Sequence, residues 1–316
     1  MNKIFITGAT GFVGGHLVDY LSQNKDNKLF GTTFNDAKQD SRIELEKINL
    51  LDSKATKRLV TNISPTHVYH LAALTSPRSS FQNPTETITN NINAEVNLLE
   101  ACRELNGAQI LIISSAEVYG DVEKNDLPIN ENTPLRPVNP YAVSKIAQDY
   151  LALQYHLAYG LNTYRVRPFN HTGPRQAPMF VVPAFAKQIA EIEQGLKEPV
   201  IKVGNLDSIR DFTDVRDMVK AYELTMLKGR VGEVYNLGSD KSFKISYILD
   251  ALIKMAKVEI KIENDSSKLK PSDIPELTCD SSKFRKLTGW EPKIKIETTL
   301  KDVLDYWRQE VSGQAR

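Results

Sequence analysis

Tyr141 and Lys145 stand four residues apart in the run YAVSK. On a helix that spacing puts both side chains on one face. A phenol with its ordinary pKa of about 10 is a weak acid–base catalyst near neutrality. A neighbouring ammonium favours the phenolate and is expected to lower that value. Such a pair can pass a proton to or from a substrate oxygen. Tyr–Lys pairs at this spacing are also common on solvated helix faces, so the reading depends on what else converges there. Upstream, in ISSAEVYG, an apolar stretch runs into Ser114 and Ser115, followed by Glu117 and Tyr119. Ser115 is placed to donate to an oxygen that gains charge. Ser114 reads as a strand-end cap and Tyr119 as packing. Glu117 reads as either a turn acid or a second acid–base group.

A second constellation lies at the start of the chain. Gly8, Gly11 and Gly14 recur at three-residue intervals in TGATGFVG. They follow a β-rich run, Lys3–Thr7, and open a helical pattern over Phe12–Leu21. Gly8 suits the tight turn, Gly11 lets backbone approach a pyrophosphate, and Gly14 lets the helix lie close to the sheet. The N–H groups and the positive end of the helix dipole then face the phosphates. A glycine-rich chain reversal is the alternative; the strand–turn–helix context favours the dinucleotide. An acid at the end of the second strand would hold a ribose diol, as NAD requires, whereas an Arg would suit the 2′-phosphate of NADP. Asp36 falls beyond the strand pattern and no Arg precedes Arg42. NAD(H) and NADP(H) both stay open.

These residues need a scaffold. After Phe12–Leu21 comes a strand over Lys28–Phe34, which makes a βαβ unit. Thr66–Leu71 and Ala108–Ser114 read as buried strands with a helix over Asn91–Leu105 between them. A helix over Tyr141–Tyr159 starts after Pro140, and a strand over Asn162–Arg167 follows. This alternation predicts an α/β fold of Rossmann type: a doubly wound parallel sheet with a smaller C-terminal substrate-binding lobe. Residues 1–168, with a returning strand near 233–237, form the dinucleotide-binding domain. Residues 169–316 form mainly the interleaved substrate lobe, where prolines 168, 174, 178 and 183 crowd the chain.

Bulk properties narrow the function. The 316 residues carry a formal net charge of +1, and 41% of them are hydrophobic. So balanced a charge gives no field for nucleic acid or an anionic membrane. No apolar run approaches the roughly 20 residues that span a bilayer, and the start of the chain lacks a signal-peptide pattern. The cytoplasm is the expected compartment. Cys102 and Cys279 form neither a disulfide framework nor a metal-ligand cluster, and both read as buried packing groups.

With TGATGFVG, HLAA, SSAEVYG, YAVSK, RPFNHTGP and GNLDSIRDFTDVRDMV in this order, the chain resembles the extended short-chain dehydrogenase/reductase family over nearly its whole length, in its sugar-nucleotide branch. The resemblance implies a catalytic trio of Ser115, Tyr141 and Lys145. It places the cofactor along Gly8, Gly11, Phe12 and Gly14, with Asn49 and Leu50 near the adenine and Leu71, Ala72 and Ala73 after the fourth strand. Tyr141 and Lys145 also face the nicotinamide end. For the substrate it implies Asn170 near the diphosphate, Lys187 near the base and Arg210 on the phosphates, with Glu117 at the reaction centre. Lys270-Pro-Ser-Asp273 stands where related GDP-sugar enzymes carry Arg-Pro-Thr-Glu, so Lys270 and Asp273 are further candidates. The later segments are most similar to reductases of GDP-linked 4-keto-6-deoxy sugars. GDP-mannose 4,6-dehydratases and nucleotide-sugar 4-epimerases are the alternatives, and a non-catalytic cofactor sensor ranks below them. The family commonly forms homodimers through a four-helix bundle, here the helices through Leu98 and from Tyr141.

Overall fold

The computed structural model describes residues 1–38, 40–105, 107–266 and 274–314. In chain order the first half runs β1 (Asn2–Thr7), α1 (Phe12–Leu21), β2 (Asn27–Thr33), β3 (Glu44–Lys47), α2 (Ser53–Ile63), β4 (His67–His70), α3 (Pro77–Gln82), α4 (Pro84–Cys102), β5 (Gln109–Ile113), α5 (Pro140–Tyr159) and β6 (Asn162–Pro168). Then come β7 (Asn170–Thr172), α6 (Val181–Glu193), β8 (Val200–Val203), β9 (Ile209–Asp214), α7 (Val215–Lys228), β10 (Val234–Leu237), β11 (Ser242–Lys244), α8 (Ile245–Lys254), β12 (Lys261–Asn264), β13 (Glu276–Leu277), α9 (Ser282–Thr288) and α10 (Ile296–Gln314).

Seven strands form one parallel sheet in the order β10-β6-β5-β4-β1-β2-β3. The chain winds outward from β1 to β3, then crosses to β4 on the other side of β1. Adjacent strand ends therefore part at the β1–β4 junction, and a crevice opens at their carboxyl ends. Central strands such as β5 (QILII) are apolar on both faces because helices cover both sides. On one side α1 and α7 bury Leu17, Val18, Leu21, Met218, Val219 and Tyr222. On the other, α2, α4 and α5 bury Val60, Leu98, Leu99, Ala152 and Tyr155.

A second core lies in the C-terminal lobe, where α6, α8 and α10 enclose Phe185, Ile189, Leu249, Leu252, Leu300 and Trp307. Its small sheets are β12-β8 and β11-β9-β13, with β7 pairing β9. The two lobes interleave further than the returning strand β10. Helix α7, with Phe284 and Trp290, belongs to the first core although it lies late in the chain. No helix among the described residues is long and apolar enough to cross a membrane.

Most element boundaries agree with the sequence pattern to within one or two residues. Helix α4 is the exception. It begins at Pro84, seven residues before the expected Asn91, and stops at Cys102. The first two turns, Pro84-Thr-Glu-Thr-Ile-Thr-Asn90, are polar and mostly exposed, so they carry no apolar period to read.

Candidate active site

The glycine turn is built as its spacing requires. Gly8 has φ +68°, and a Cβ there would lie 3.1 Å from the Ala72 backbone. A Cβ on Gly14 would overlap the Gly8 carbonyl oxygen. Gly11 is the N-cap of α1, and no side chain caps the helix. The first N–H groups of α1 therefore lack both an intrahelical acceptor and a side-chain one, which leaves an anion-binding end. This uncapped helix start fits a dinucleotide pyrophosphate. Thr7 ties the turn to the next strand: its Oγ1 accepts from the Leu71 and Ala72 N–H groups, each at 3.1 Å. The same hydroxyl lies 2.8 Å from His70 Nδ1. Burial pushes His70 down to about 3, so this imidazole is neutral.

The β2 end carries no carboxylate in the strand itself. Asp36 is solvent-facing and paired with Lys47 at 2.8 Å. Asn49 is exposed, with its Oδ1 accepting from the Leu51 N–H at 3.0 Å. Leu50 is buried, and its carbonyl accepts from Asn97 Nδ2 at 2.8 Å.

Helix α5 delivers the other half of the site. Asn139 caps it, its Oδ1 accepting from Ala142 N–H at 2.7 Å, and Pro140 fills the first position. Tyr141, one residue further, is 7% exposed and Lys145 is 4% exposed. Lys145 Nζ donates to the Ile113 carbonyl at the end of β5, at 2.8 Å. Ser114 Oγ donates to the Lys145 carbonyl at 3.1 Å. That hydroxyl fastens β5 to α5, as a strand-end role predicts. Ser115 faces the Tyr141 phenol and stabilises its oxygen. Thus Ser115, Tyr141 and Lys145 converge where β5 ends. Glu117 joins them from the short turn after β5, its Oε2 accepting from Asn139 Nδ2 at 3.0 Å.

The electrostatics depart from the expectation for Tyr141. Burial pushes this phenol above its ordinary value, Ser115 works against that shift, and Glu117 adds to it. The Lys145 ammonium is bound to the Ile113 carbonyl and does not offset the burial. Burial also pushes Lys145 down, to about 8, against the opposing pull of Glu95. Tyr141 is accordingly held as a neutral phenol, the form that can give a proton away.

The remaining candidates lie on the second lobe or its edge. Asn170 opens β7, opposite Phe212 of β9. Lys187, on α6, sits 3.8 Å from Glu191 and over the Trp307 ring. Arg210 is 8% exposed and donates to the carbonyls of Ile209 and Ile274, each at 2.8 Å. It braces the chain just after residues 267–273. Nearby, Asp214 is taken by Arg216, Asp217 by Lys220 and the Lys293 N–H, and Asp211 Oδ1 accepts from Ser239. Lys270 and Asp273 fall outside the described residues. Sequence reasoning passed over Thr7, Asn139 and a buried polar seam between α4 and α5. For Asn139 the signal was present, since Asn directly before a first-turn Pro is an N-cap pattern.

Residues 5–303 match the family model described as GDP-mannose 4,6 dehydratase. A GDP-6-deoxy-D-mannose reductase of Pseudomonas aeruginosa is 35% identical over 98% of each chain. A GDP-mannose 4,6-dehydratase of Yersinia enterocolitica is 29% identical over 94% of this chain and 91% of its own. Among solved structures, RMD from Pseudomonas aeruginosa complexed with NADPH superposes with a TM-score of 0.86 at 34% identity, over 98% of this chain and 100% of that one. A glycine turn, a Ser–Tyr–Lys cluster at the mouth of a parallel sheet, and matches of this extent together say that the chain belongs to the GDP-mannose 4,6 dehydratase family, within the extended short-chain dehydrogenases/reductases.

Proposed function

We propose that this protein reduces the C4 ketone of a GDP-linked 4-keto-6-deoxy sugar, using a reduced nicotinamide dinucleotide. The observation that carries the reading is Tyr141: a buried phenol, kept protonated by its surroundings, beside a hydroxyl at the carboxyl end of β5. A bound NAD(P)H supplies the hydride at this point. Tyr141 gives its proton to the alkoxide forming at C4, and Ser115 donates a hydrogen bond to the same oxygen. Lys145 holds the nicotinamide ribose through its ammonium. The start of α1, with Gly8, Gly11, Phe12 and Gly14, binds the pyrophosphate. Asn170, Lys187 and Arg210, with Lys270 and Asp273, are assigned to the GDP moiety. The strand β2 ends on Thr33 without an acid, and the Asp36 carboxylate beyond it is offset by Lys47, which favours NADPH over NADH.

A 4,6-dehydratase is the second reading, and Glu117 favours it: an acid held by Asn139 near the reaction centre is what proton abstraction next to a ketone would use. The two differ in bookkeeping of the cofactor. The reductase consumes one NADPH per GDP-4-keto-6-deoxymannose and leaves GDP-mannose untouched. The dehydratase converts GDP-mannose with no net cofactor change. Product analysis by NMR after each substrate is offered alone separates them, and conversion of GDP-mannose without added reductant would overturn the first reading.

With burial pushing Lys145 down to about 8, kcat/KM for the reduced cofactor is expected to fall above about that pH, by roughly tenfold per unit. A flat profile to pH 10 would remove Lys145 from the binding step.

A homodimer through α4 and α5 follows the same reading. Val143, Tyr150 and Leu157 are exposed at seven-residue spacing along α5, with Leu157 73% exposed. This stripe suits a helix-to-helix seam between two copies. Light scattering is expected to give twice the chain mass, and Leu157→Glu to shift it toward the monomer. A monomeric wild type at micromolar concentration would contradict the assembly.

A further inference from the structure

Between β7 and α6 the chain runs along the cofactor helix α1 and is fastened to it at three points. His171 stacks on Phe12, with ring centroids 6.2 Å apart and planes at 6°. His16 Nε2 donates to the Pro174 carbonyl at 2.9 Å. Arg175 Nη2 pairs with Asp19 Oδ2, and the guanidinium lies against Gly15. Phe12, Gly15, His16 and Asp19 follow the i, i+3, i+4, i+7 spacing of one helix face. The other oxygen of Asp19 holds Arg42 at 2.7 Å, so one carboxylate joins this segment to α1 and to the connection between β2 and β3.

Arg175 is held in the left-handed region, at φ +73°. Among the described residues, Ser64 and Asp240 are the other non-glycine positions there. Ser64 is the C-cap of α2, an ordinary place for that conformation, and Asp is one of the few residues that tolerate it. Arg175 has neither reason, and glycine would take the same backbone without strain. The Asp19 pair is a small return in stability, since its side chains are 39% and 36% exposed and such pairs contribute little. Stability alone therefore favours glycine at 175; what the arginine adds is a tether. The tethered turn is rigidly joined to β7. Gln176 Oε1 accepts from Thr172 Oγ1 at 2.7 Å, and its Nε2 donates to the His171 carbonyl at 3.2 Å. That strand opens with Asn170, assigned to the sugar diphosphate, whereas α1 opens with the turn assigned to the dinucleotide.

We propose that Arg175 is a positioning residue: its ion pair with Asp19 locks the turn after β7 onto α1 and so sets the nucleotide-sugar site against the bound dinucleotide. This rests on the reading of α1 as the cofactor helix and of Asn170 as a contact of the GDP moiety. Arg175 touches neither ligand in this account. It acts through the turn and β7, so its loss weakens the sugar nucleotide and spares the cofactor.

The test is a pair of titrations of the full-length chain: NADPH by fluorescence, and GDP by calorimetry on protein saturated with NADPH. Arg175→Gly suits the backbone and removes the tether. The variant is expected to bind NADPH within about twofold of wild type and GDP about tenfold more weakly. Arg175→Lys keeps the charge and is expected to return GDP affinity to within about threefold of wild type. Unchanged GDP affinity in Arg175→Gly would overturn the proposal. So would a loss shared equally by NADPH, or one that Arg175→Lys does not recover, because a merely structural role has no reason to single out the sugar nucleotide. Should Arg175→Gly not fold, Asp19→Asn takes its place. It removes the charge from the α1 side and is expected to give the same split between the two ligands; an equal effect on both, or none, again counts against the proposal. Neither titration requires sugar turnover. A wild type that binds NADPH and GDP but reduces no keto sugar would undo the proposed reaction and leave this test standing. A wild type that fails to bind either ligand would remove the assignments of α1 or Asn170, and the proposal with them.

Discussion

Tyr141→Phe is expected to lower turnover by roughly 10²–10⁴-fold, the usual worth of a positioned proton donor, while NADPH affinity stays within a few-fold of wild type. The substitution deletes one oxygen and keeps the ring in its buried slot. No cavity opens, and the Asn139 cap that starts α5 is untouched. Hydride transfer to a ketone leaves negative charge on the oxygen. Without the phenol proton that charge must be borne by the Ser115 hydrogen bond alone. Steady-state rates with GDP-4-keto-6-deoxymannose, set beside a cofactor titration of the same preparation, separate the two effects. An unchanged rate would refute Tyr141 as the donor; a lost cofactor affinity would mean that the phenol binds more than it catalyses.

The largest effect on stability is expected at Asp149. Its two oxygens each receive a 2.6 Å bond, one from Arg165 Nη1 and one from Arg167 Nε, and its side chain is 0% exposed. Arg167 continues to the Tyr119 hydroxyl at 3.1 Å, which donates to Asn236 Oδ1 at 2.7 Å. The cluster thereby pins the helix that carries Tyr141 and Lys145 onto β6 and β10. Asp149→Asn leaves two buried guanidinium groups without a counter-charge. Breaking such a pair costs about 3–5 kcal/mol, and for a domain of this size a loss of that order lowers the melting temperature by on the order of 10 °C. Calorimetry of the purified variant is the check. A melting temperature within a degree or two of wild type would show that water reaches these guanidiniums and that the cluster is not a closed one.

The fold was legible in the sequence because its strongest signals are local. The TGATGFVG turn has a strand before it and a helix after it, and each glycine has a separate steric reason that the structure bears out at Gly8 and Gly14. Apolar runs such as Ile110–Ile113 announce strands covered on both faces. The polar first turns of α4 gave no period, and the assignment of α7 to the first core depends on a long-range contact with α1 that no local pattern encodes.

The site was legible as a set of residues and less so as a set of charges. That Ser115, Tyr141 and Lys145 meet follows from helical spacing plus the end of β5. That Tyr141 is pushed up does not, because burial is a property of the whole fold and here outweighs the nearby cation. The same reason hid Glu95. In sequence it is one more acid on a helix of ordinary composition, and only the packing of α4 on α5 reveals that it has left water. Arg210 is the converse case: the resemblance puts it on phosphates, and in the folded chain its guanidinium also donates to the carbonyls of Ile209 and Ile274.

The central claim is a hydride delivered to C4 of a GDP-linked keto sugar at Tyr141. It is tested most directly by supplying GDP-4-keto-6-deoxymannose with NADPH carrying deuterium at C4 of the nicotinamide, then reading the product by NMR. The account predicts one deuterium, at C4 of the sugar, for each NADPH oxidised. Product without deuterium at that carbon, or no oxidation of NADPH at all, would contradict it.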